Sequence, residues 1–287
     1  MIYLLISICI SSFLFVIFKL FDVLKINTLQ AIVFNYLVAA ILGFSLSDIS
    51  VSVQEIPSQP WFLGVFLLVI LFISVFNVMA LTAQRNGLSV ASVASKMSVV
   101  LPIVFGLYAY NESLSLQKSI GIVLALIAVY LTSVKAKSNT LSLKGLWLPL
   151  LLFFGSGIID TSIKFLETSY VSKNGIPIFS ATIFAIAGVI GITIISAKVI
   201  KGNFKFDYRS VFGGIFLGIV NYYSIYMLLK ALQFEGFESS TIFTVNNVAI
   251  VMLSTLIGLS FFTEKLIART WIGIGLAIIS IALVTLA

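Results

Sequence analysis

Histidine is absent from this sequence and cysteine occurs once, at Cys9. Without histidine there is no imidazole acid–base chemistry and no histidine metal ligation. One cysteine makes neither an internal disulfide nor a cysteine cluster. No G-x-x-x-x-G-K-[S/T] loop occurs, which excludes nucleotide hydrolysis by that route. No cofactor or metal is therefore expected. Charge is also scarce. Asp, Glu, Lys and Arg make up 9% of the 287 residues, against about a quarter in soluble domains. Apolar residues reach 60% and the mean hydropathy is +1.18. An ordinary soluble enzyme does not have this composition; a multi-span membrane protein does.

The apolar residues fall into runs near the roughly 20 residues that a membrane helix needs. Ten helices are expected: Ile2–Phe21, Leu29–Ser47, Trp61–Leu81, Ser89–Ala109, Leu116–Val134, Leu146–Lys164, Ile178–Val199, Ser210–Leu232, Ser240–Phe262 and Trp271–Leu286. The first run starts at Ile2 with no basic segment before it and no small-residue cleavage site after it, so it reads as a retained span. Ser115 is placed to cap the fifth helix and Thr270 the tenth. The longest polar stretches, Ser45–Pro60, Lys135–Lys144 and Ile200–Arg209, are too short for a separate soluble domain.

The net charge of +7 gains meaning from its placement. The loops alternate sides. The side opposite the N-terminus carries Lys25, Arg85, Lys135, Lys137, Lys144, Lys198, Lys201, Lys205, Arg209, Lys265 and Arg269. The N-terminal side carries only Lys118, Lys173 and Lys230. Cytoplasmic loops concentrate Lys and Arg, so both termini are expected outside the cell. The basic excess is then a topology signal, and no nucleic-acid partner is needed to explain it.

The two halves resemble each other. Ser11 and Lys19 match Ser156 and Lys164 at one offset. Glu112, Ile120-Gly121-Ile122, Ala125 and Leu131 match Glu264, Ile272-Gly273-Ile274, Ala277 and Leu283 at a second. Residues 1–138 and 139–287 are accordingly two five-helix repeats. Five is odd, so the second repeat enters the membrane from the opposite side. The expected fold is an all-α membrane protein: ten transmembrane helices as two inverted five-helix repeats around a central cavity. Secondary transporters use that architecture, with substrate held near the midplane.

With these features the chain resembles the drug/metabolite transporter superfamily, of the ten-helix EamA type. The resemblance spans the whole chain. It rests on the five-plus-five repeat, the lysine late in the first helix of each half, and the glutamate after the fourth and ninth helices. The stretch Gly87-Leu88-Ser89-Val90-Ala91-Ser92-Val93-Ala94-Ser95 is similar to the small-residue start of the family's fourth helix. Two positions depart from the pattern. Ser11-Ser12 replace the usual Trp-Gly, and Pro102 has no proline counterpart in the ninth helix, where Ser254 aligns. The resemblance implies that helices one to four and six to nine surround the cavity, with five and ten peripheral. It also implies efflux of small metabolites, amino acids or related compounds, across the cell inner membrane.

Lys96 is the residue of most interest. An intramembrane ammonium is costly and faces the bundle interior or water, and Ser89, Ser92 and Lys96 share one helix face. Lys96 and Ser92 are expected at the substrate, as a counter-ion for an anionic group; the alternative is a structural partner. Asn246 and Asn247 align near Ser95 and Lys96 of the other half, and with Asn77, Asn221 and Tyr222 they are further candidates for binding substrate. Asn35 and Tyr223 are also polar within spans. Asp160 and Lys164, four residues apart, and Lys19 are candidates for coupling or gating. The alternatives are a self-neutralising pair and interfacial anchoring. Glu112 and Glu264 read as structural, through the helix dipole. Pro102 can kink its helix.

The expected function is secondary transport of a small metabolite, an amino acid or organic anion, by alternating access and without enzymatic activity. The three embedded lysines against Asp160 leave a net +2 in the membrane, which favours a carboxylate or phosphate on the substrate. The expected partners are that substrate and membrane lipid, with the chain a monomer or homodimer. Two other classes compete. An intramembrane lipid-modifying enzyme lacks acid–base machinery here. A non-transporting membrane subunit would need no polar cavity.

Overall fold

The structure is a computed structural model. It describes residues 1–46, 53–109, 115–133, 143–171, 176–202, 206–232 and 239–285; some side chains within these, that of Lys164 among them, lie outside the description. Every regular element among the described residues is helical. In chain order they are α1 (Ile2–Val23), α2 (Thr28–Leu46), a 3-10 turn (Val53–Ser58), α3 (Phe62–Asn86), α4 (Leu88–Met97), α5 (Val100–Ala109), α6 (Leu116–Ser133), α7 (Leu143–Tyr170), α8 (Ile176–Ile200), α9 (Tyr208–Leu232), α10 (Ser239–Phe261) and α11 (Ala268–Thr285). α4 and α5 are two halves of the fourth span, so the described residues form ten membrane-type helices. Among the described residues seven spans are long and apolar enough to cross a membrane, and three further apolar helices are shorter.

The expected boundaries hold to a few residues, and the differences have one cause. Hydropathy marks the part of a helix in lipid, not where its hydrogen bonds stop. α3 runs on through Gln84-Arg85-Asn86, and α7 continues to Tyr170, past Lys164. α11 begins at Ala268, so Thr270 lies inside its first turn and is not its cap. Ser115 does stand immediately before α6.

The chain forms two compact units, each drawing on both sequence halves. One comprises 1–20, 78–158 and 223–287; the other comprises 21–77 and 159–222. In the first, α6 packs closely on α11. Small residues make this possible. A Cβ at Gly273 would lie 3.1 Å from the Ala128 carbonyl oxygen, Ala125, Ala128 and Ala277 are fully buried, and Ser280 Oγ donates to the Gly121 carbonyl at 2.7 Å. Gly121 thus lies near Ser280, and Ala128 near Gly273, so the helices run antiparallel.

In the second unit α2 packs on α8. Val33 lies against Gly191, Leu37 against Gly188 and Gly43 against Ala181, which is again antiparallel. Both pairs join spans that the sequence repeat makes equivalent: second with seventh, fifth with tenth. Equivalent helices running in opposite directions are what inverted repeats require.

α2 has no polar face because it is enclosed on several sides. Tyr36 is fully buried among Phe76 and Phe184, and its hydroxyl donates to the Phe72 carbonyl at 3.0 Å. On α9, Gly214 and Gly218 face α2 backbone, and a Cβ at Gly218 would lie 2.8 Å from the Asn35 carbonyl oxygen. Backbone cannot yield as a side-chain tip can. Gly218→Ala is therefore expected to destabilise the protein by about 1–3 kcal/mol, the usual overpacking range, read as a lowered melting temperature in detergent. One end of this contact is fastened by polar groups. Gln30 exchanges two hydrogen bonds with the Asp207 backbone, at 3.0 and 3.2 Å, and Ser210 Oγ accepts from the Asn27 N–H at 2.8 Å.

Candidate functional site

The fourth span is broken at Ser98–Val99, between α4 and α5. The cause lies four residues ahead. Pro102 has no N–H to give the Ser98 carbonyl, the partner it would have in a continuous α-helix. That carbonyl instead accepts from the Leu101 N–H at 2.9 Å, and Ser98 Oγ donates back to the Ser95 carbonyl at 2.6 Å. In the ninth span Ser254 stands where Pro102 aligns, and α10 is continuous there. One proline therefore separates the fourth span from the ninth. Pro102→Ala is expected to restore the missing donor and slow backbone hydrogen exchange across residues 98–102.

α4 is left as a ten-residue rod carrying Lys96 in its last turn, where a cation complements the helix C-terminus. Lys96 is half-buried and engaged in contacts within the fold. Ser89 and Ser92 are fully buried. The Ser92 hydroxyl donates to the Ser89 carbonyl at 3.1 Å, so it is occupied by its own helix. α10 packs against α4 and brings Asn246 into the same unit. Asn246 is buried, with Oδ1 3.2 Å from Ser7 Oγ, and Ser7 Oγ also lies 3.3 Å from the Ser224 carbonyl. Ser7, absent from the candidates, thus joins α1, α9 and α10. Asn247, next along α10, is half-buried.

Most hydroxyls in these spans satisfy themselves on a carbonyl three or four residues back, as Thr82, Thr132, Thr182 and Thr255 do. Ser12 and Ser156 do not. Their buried oxygens have no hydrogen-bond partner. They stand at nearly equivalent places in the first and sixth spans, where the sequence repeat aligns Ser11 with Ser156. Buried orphans of this kind are rare, and no periodicity in the sequence distinguishes them from the self-satisfied majority.

In the other unit Asn221 donates to Asn35 Oδ1 at 3.2 Å, while Asn35 Nδ2 is buried without an acceptor. Asn77 donates to the Ile73 carbonyl of its own helix at 2.7 Å. Tyr222 is half-buried near Gly43. Asp160 is exposed on α7 and engaged in contacts within the fold; the Lys164 side chain lies outside the described residues, and so does Glu112. Lys19 Nζ donates to the Gln84 carbonyl at 2.8 Å, and the Gln84 amide returns a bond to the Phe18 carbonyl at 3.0 Å. Lys19 thus covers a carbonyl in the last turn of α3. Among the described residues no group of three or more metal-ligating His, Cys, Asp or Glu side chains occurs.

Residues 1–134 match the model of the EamA-like transporter family, which bears out the resemblance to the drug/metabolite transporter superfamily. An "uncharacterized protein" of Haemophilus influenzae is 29% identical over 254 residues, covering 85% of this chain and 84% of its own. A solved crystal structure superposes with a TM-score of 0.56 at 14% identity, covering 98% of this chain and 97% of that one. At that identity the likeness supports the fold.

Proposed function

We propose that this chain, whose first half is an EamA-like transporter sequence, is a secondary transporter that moves a small metabolite bearing a carboxylate or phosphate by alternating access. Multi-pass membrane placement and transport of small molecules accord with the family. Export, the cell inner membrane and termini on the outer side are the finer parts of the proposal. The single observation that carries it is Lys96, half-buried on the last turn of a broken membrane helix. Broken helices at membrane depth are tolerated where they are buried or line a water-filled cavity, and transporters use their ends to hold charged groups. The partnerless Ser12 and Ser156 oxygens, in the same compact unit as Lys96, are polar groups that a substrate would satisfy.

In this reading Lys96 is the counter-ion, and Asn246, Asn247, Asn77, Asn221 and Tyr222 line the substrate path. Ser92 supports the rod that carries Lys96. Asp160, Lys164 and Lys19 couple or gate, with residues 1–138 and 139–287 exchanging conformations as repeats. The test is a thermal-shift screen of the purified protein over amino acids, organic acids and nucleosides. A ligand at a hundred times its Kd stabilises by about 2.7 kcal/mol. Acidic compounds are expected among the stabilisers, and each stabiliser should exchange across proteoliposome membranes. Stabilisation by neutral or cationic compounds alone would overturn the anionic class.

A further inference from the structure

Glu264 stands in the turn between α10 and α11, where its sequence position points to the start of α11. Its carboxylate goes elsewhere. Oε1 accepts from the Leu88 N–H at 2.6 Å and Oε2 from the Ser89 hydroxyl at 3.2 Å. These are the first two residues of α4, a helix of the other sequence half. α4 has no cap of its own: Gly87 precedes it, with φ +103 and no side chain to offer. The carboxylate lies in a slot between two glycines. A Cβ at Gly87 would come within 2.8 Å of Oε1, and one at Gly258 within 2.6 Å of Oε2. The backbone aims it as well, since Thr263 takes φ +49 and the Glu264 N–H donates to the Gly258 carbonyl at 3.0 Å.

We infer that Glu264 is a positioning residue, a latch by which the second repeat holds the lysine-bearing rod α4. The first amides of a helix have no intrahelical acceptor and carry its positive dipole end, so a carboxylate there makes charge-assisted hydrogen bonds. The hold reaches further along the rod, because the Ser89 carbonyl accepts from Ser92 Oγ. At its other end α4 is cut from α5 by the break before Pro102. Packing against α10, α6 and α11 holds the body of the rod, the latch sets its entry, and the turn from Gln84 to Ser89 is fastened on both flanks: by α1 through Lys19 and by the second repeat through Glu264. For the α10–α11 turn to move relative to α4, the two Glu264 bonds must break. This inference rests on the transport reading only for the purpose of such movement, and the tests below use no substrate.

Hydrogen-exchange mass spectrometry on the full chain in nanodiscs reads the cap directly. The Leu88 amide has Glu264 as its acceptor, so Glu264→Ala is expected to speed exchange in a peptide covering the start of α4 about tenfold or more, the equivalent of one charge-assisted bond. Glu264→Gln should fall between. Gly258→Ala should do the same with Glu264 still present, by pushing the carboxylate out of its slot. The start of α11 should not change. Spin labels at exposed Arg85 and Lys265, in a Cys9→Ser background, should give one narrow distance that broadens in Glu264→Ala and Gly258→Ala. Acceleration confined to α11, or unchanged exchange and distance in Gly258→Ala and Glu264→Gln, would overturn the latch. These two milder variants keep the test valid if Glu264→Ala does not fold.

Discussion

Gly87→Ala should be among the most damaging single-methyl substitutions in this protein, lowering stability by about 2–4 kcal/mol from backbone strain and collision together. Two independent costs meet at one position. With φ +103 and ψ 164, Gly87 occupies a region that is essentially closed to residues with a Cβ. The added methyl would also lie 2.8 Å from Glu264 Oε1 and 2.9 Å from Oε2. If the carboxylate moves aside, the Leu88 amide and the Ser89 hydroxyl lose their acceptor. If it stays, the turn between α3 and α4 must shift. Either way the entry to α4 is altered. Thermal melting of the purified variant measures the loss. The control is Gly275→Ala, on α11, where an added Cβ meets nothing within 4 Å. It should melt at or slightly above the wild-type temperature, since alanine favours the helix over glycine. Equal melting of both variants would show that the turn tolerates a side chain.

What the sequence discloses and what it conceals divide along a physical line. Membrane helices announce themselves because about 20 apolar residues in a row have few other uses, and all ten spans are recovered. An inversion is expected from the sequence because an odd number of spans per repeat reverses direction, and α2 on α8 and α6 on α11 do pack antiparallel. The break in the fourth span is legible too, because Pro102 acts within its own turn. Partnerships between distant segments are not. Glu264 meets Leu88 across 176 positions and Ser7 meets Asn246 across 239. A carboxylate after one helix and before another is compatible with capping either, and only the fold shows that it caps a third. Lys19 illustrates the same limit. Its place near a helix end predicts an interfacial lysine, but not that the Gln84 carbonyl receives it. Ser92 has the right face and spacing for substrate, and the sequence does not show that its hydroxyl donates to the Ser89 carbonyl.

Lys96→Met should abolish most transport, with a loss of about 10- to 100-fold in the affinity for an anionic substrate, the equivalent of a hydrogen bond to a charged group. Methionine keeps much of the side chain's length and removes its charge, so the variant isolates the ammonium. Lys96→Arg keeps the charge but replaces a compact donor with a planar fork, which is not a conservative exchange at a tight site; it should retain part of the activity. Stability must be read alongside. Breaking a buried ion pair by deleting one partner is strongly destabilising, by about 3–5 kcal/mol. If Lys96→Met melts that much earlier, the ammonium serves the fold and the counter-ion role fails. If the variant keeps its melting temperature and loses transport, the ammonium serves the substrate. Position on the rod sharpens the contrast. Lys96 is in the last turn of α4, a helix held from its first turn by Glu264 and released at its end by the break before Pro102. A charge held there is fixed to α4 yet separated from α5 by the break. Pro102→Ala, which joins the halves, should then lower turnover while leaving substrate affinity close to wild type. Equal loss of affinity in Pro102→Ala and Lys96→Met would mean that the break positions the ammonium for binding and has no part in movement.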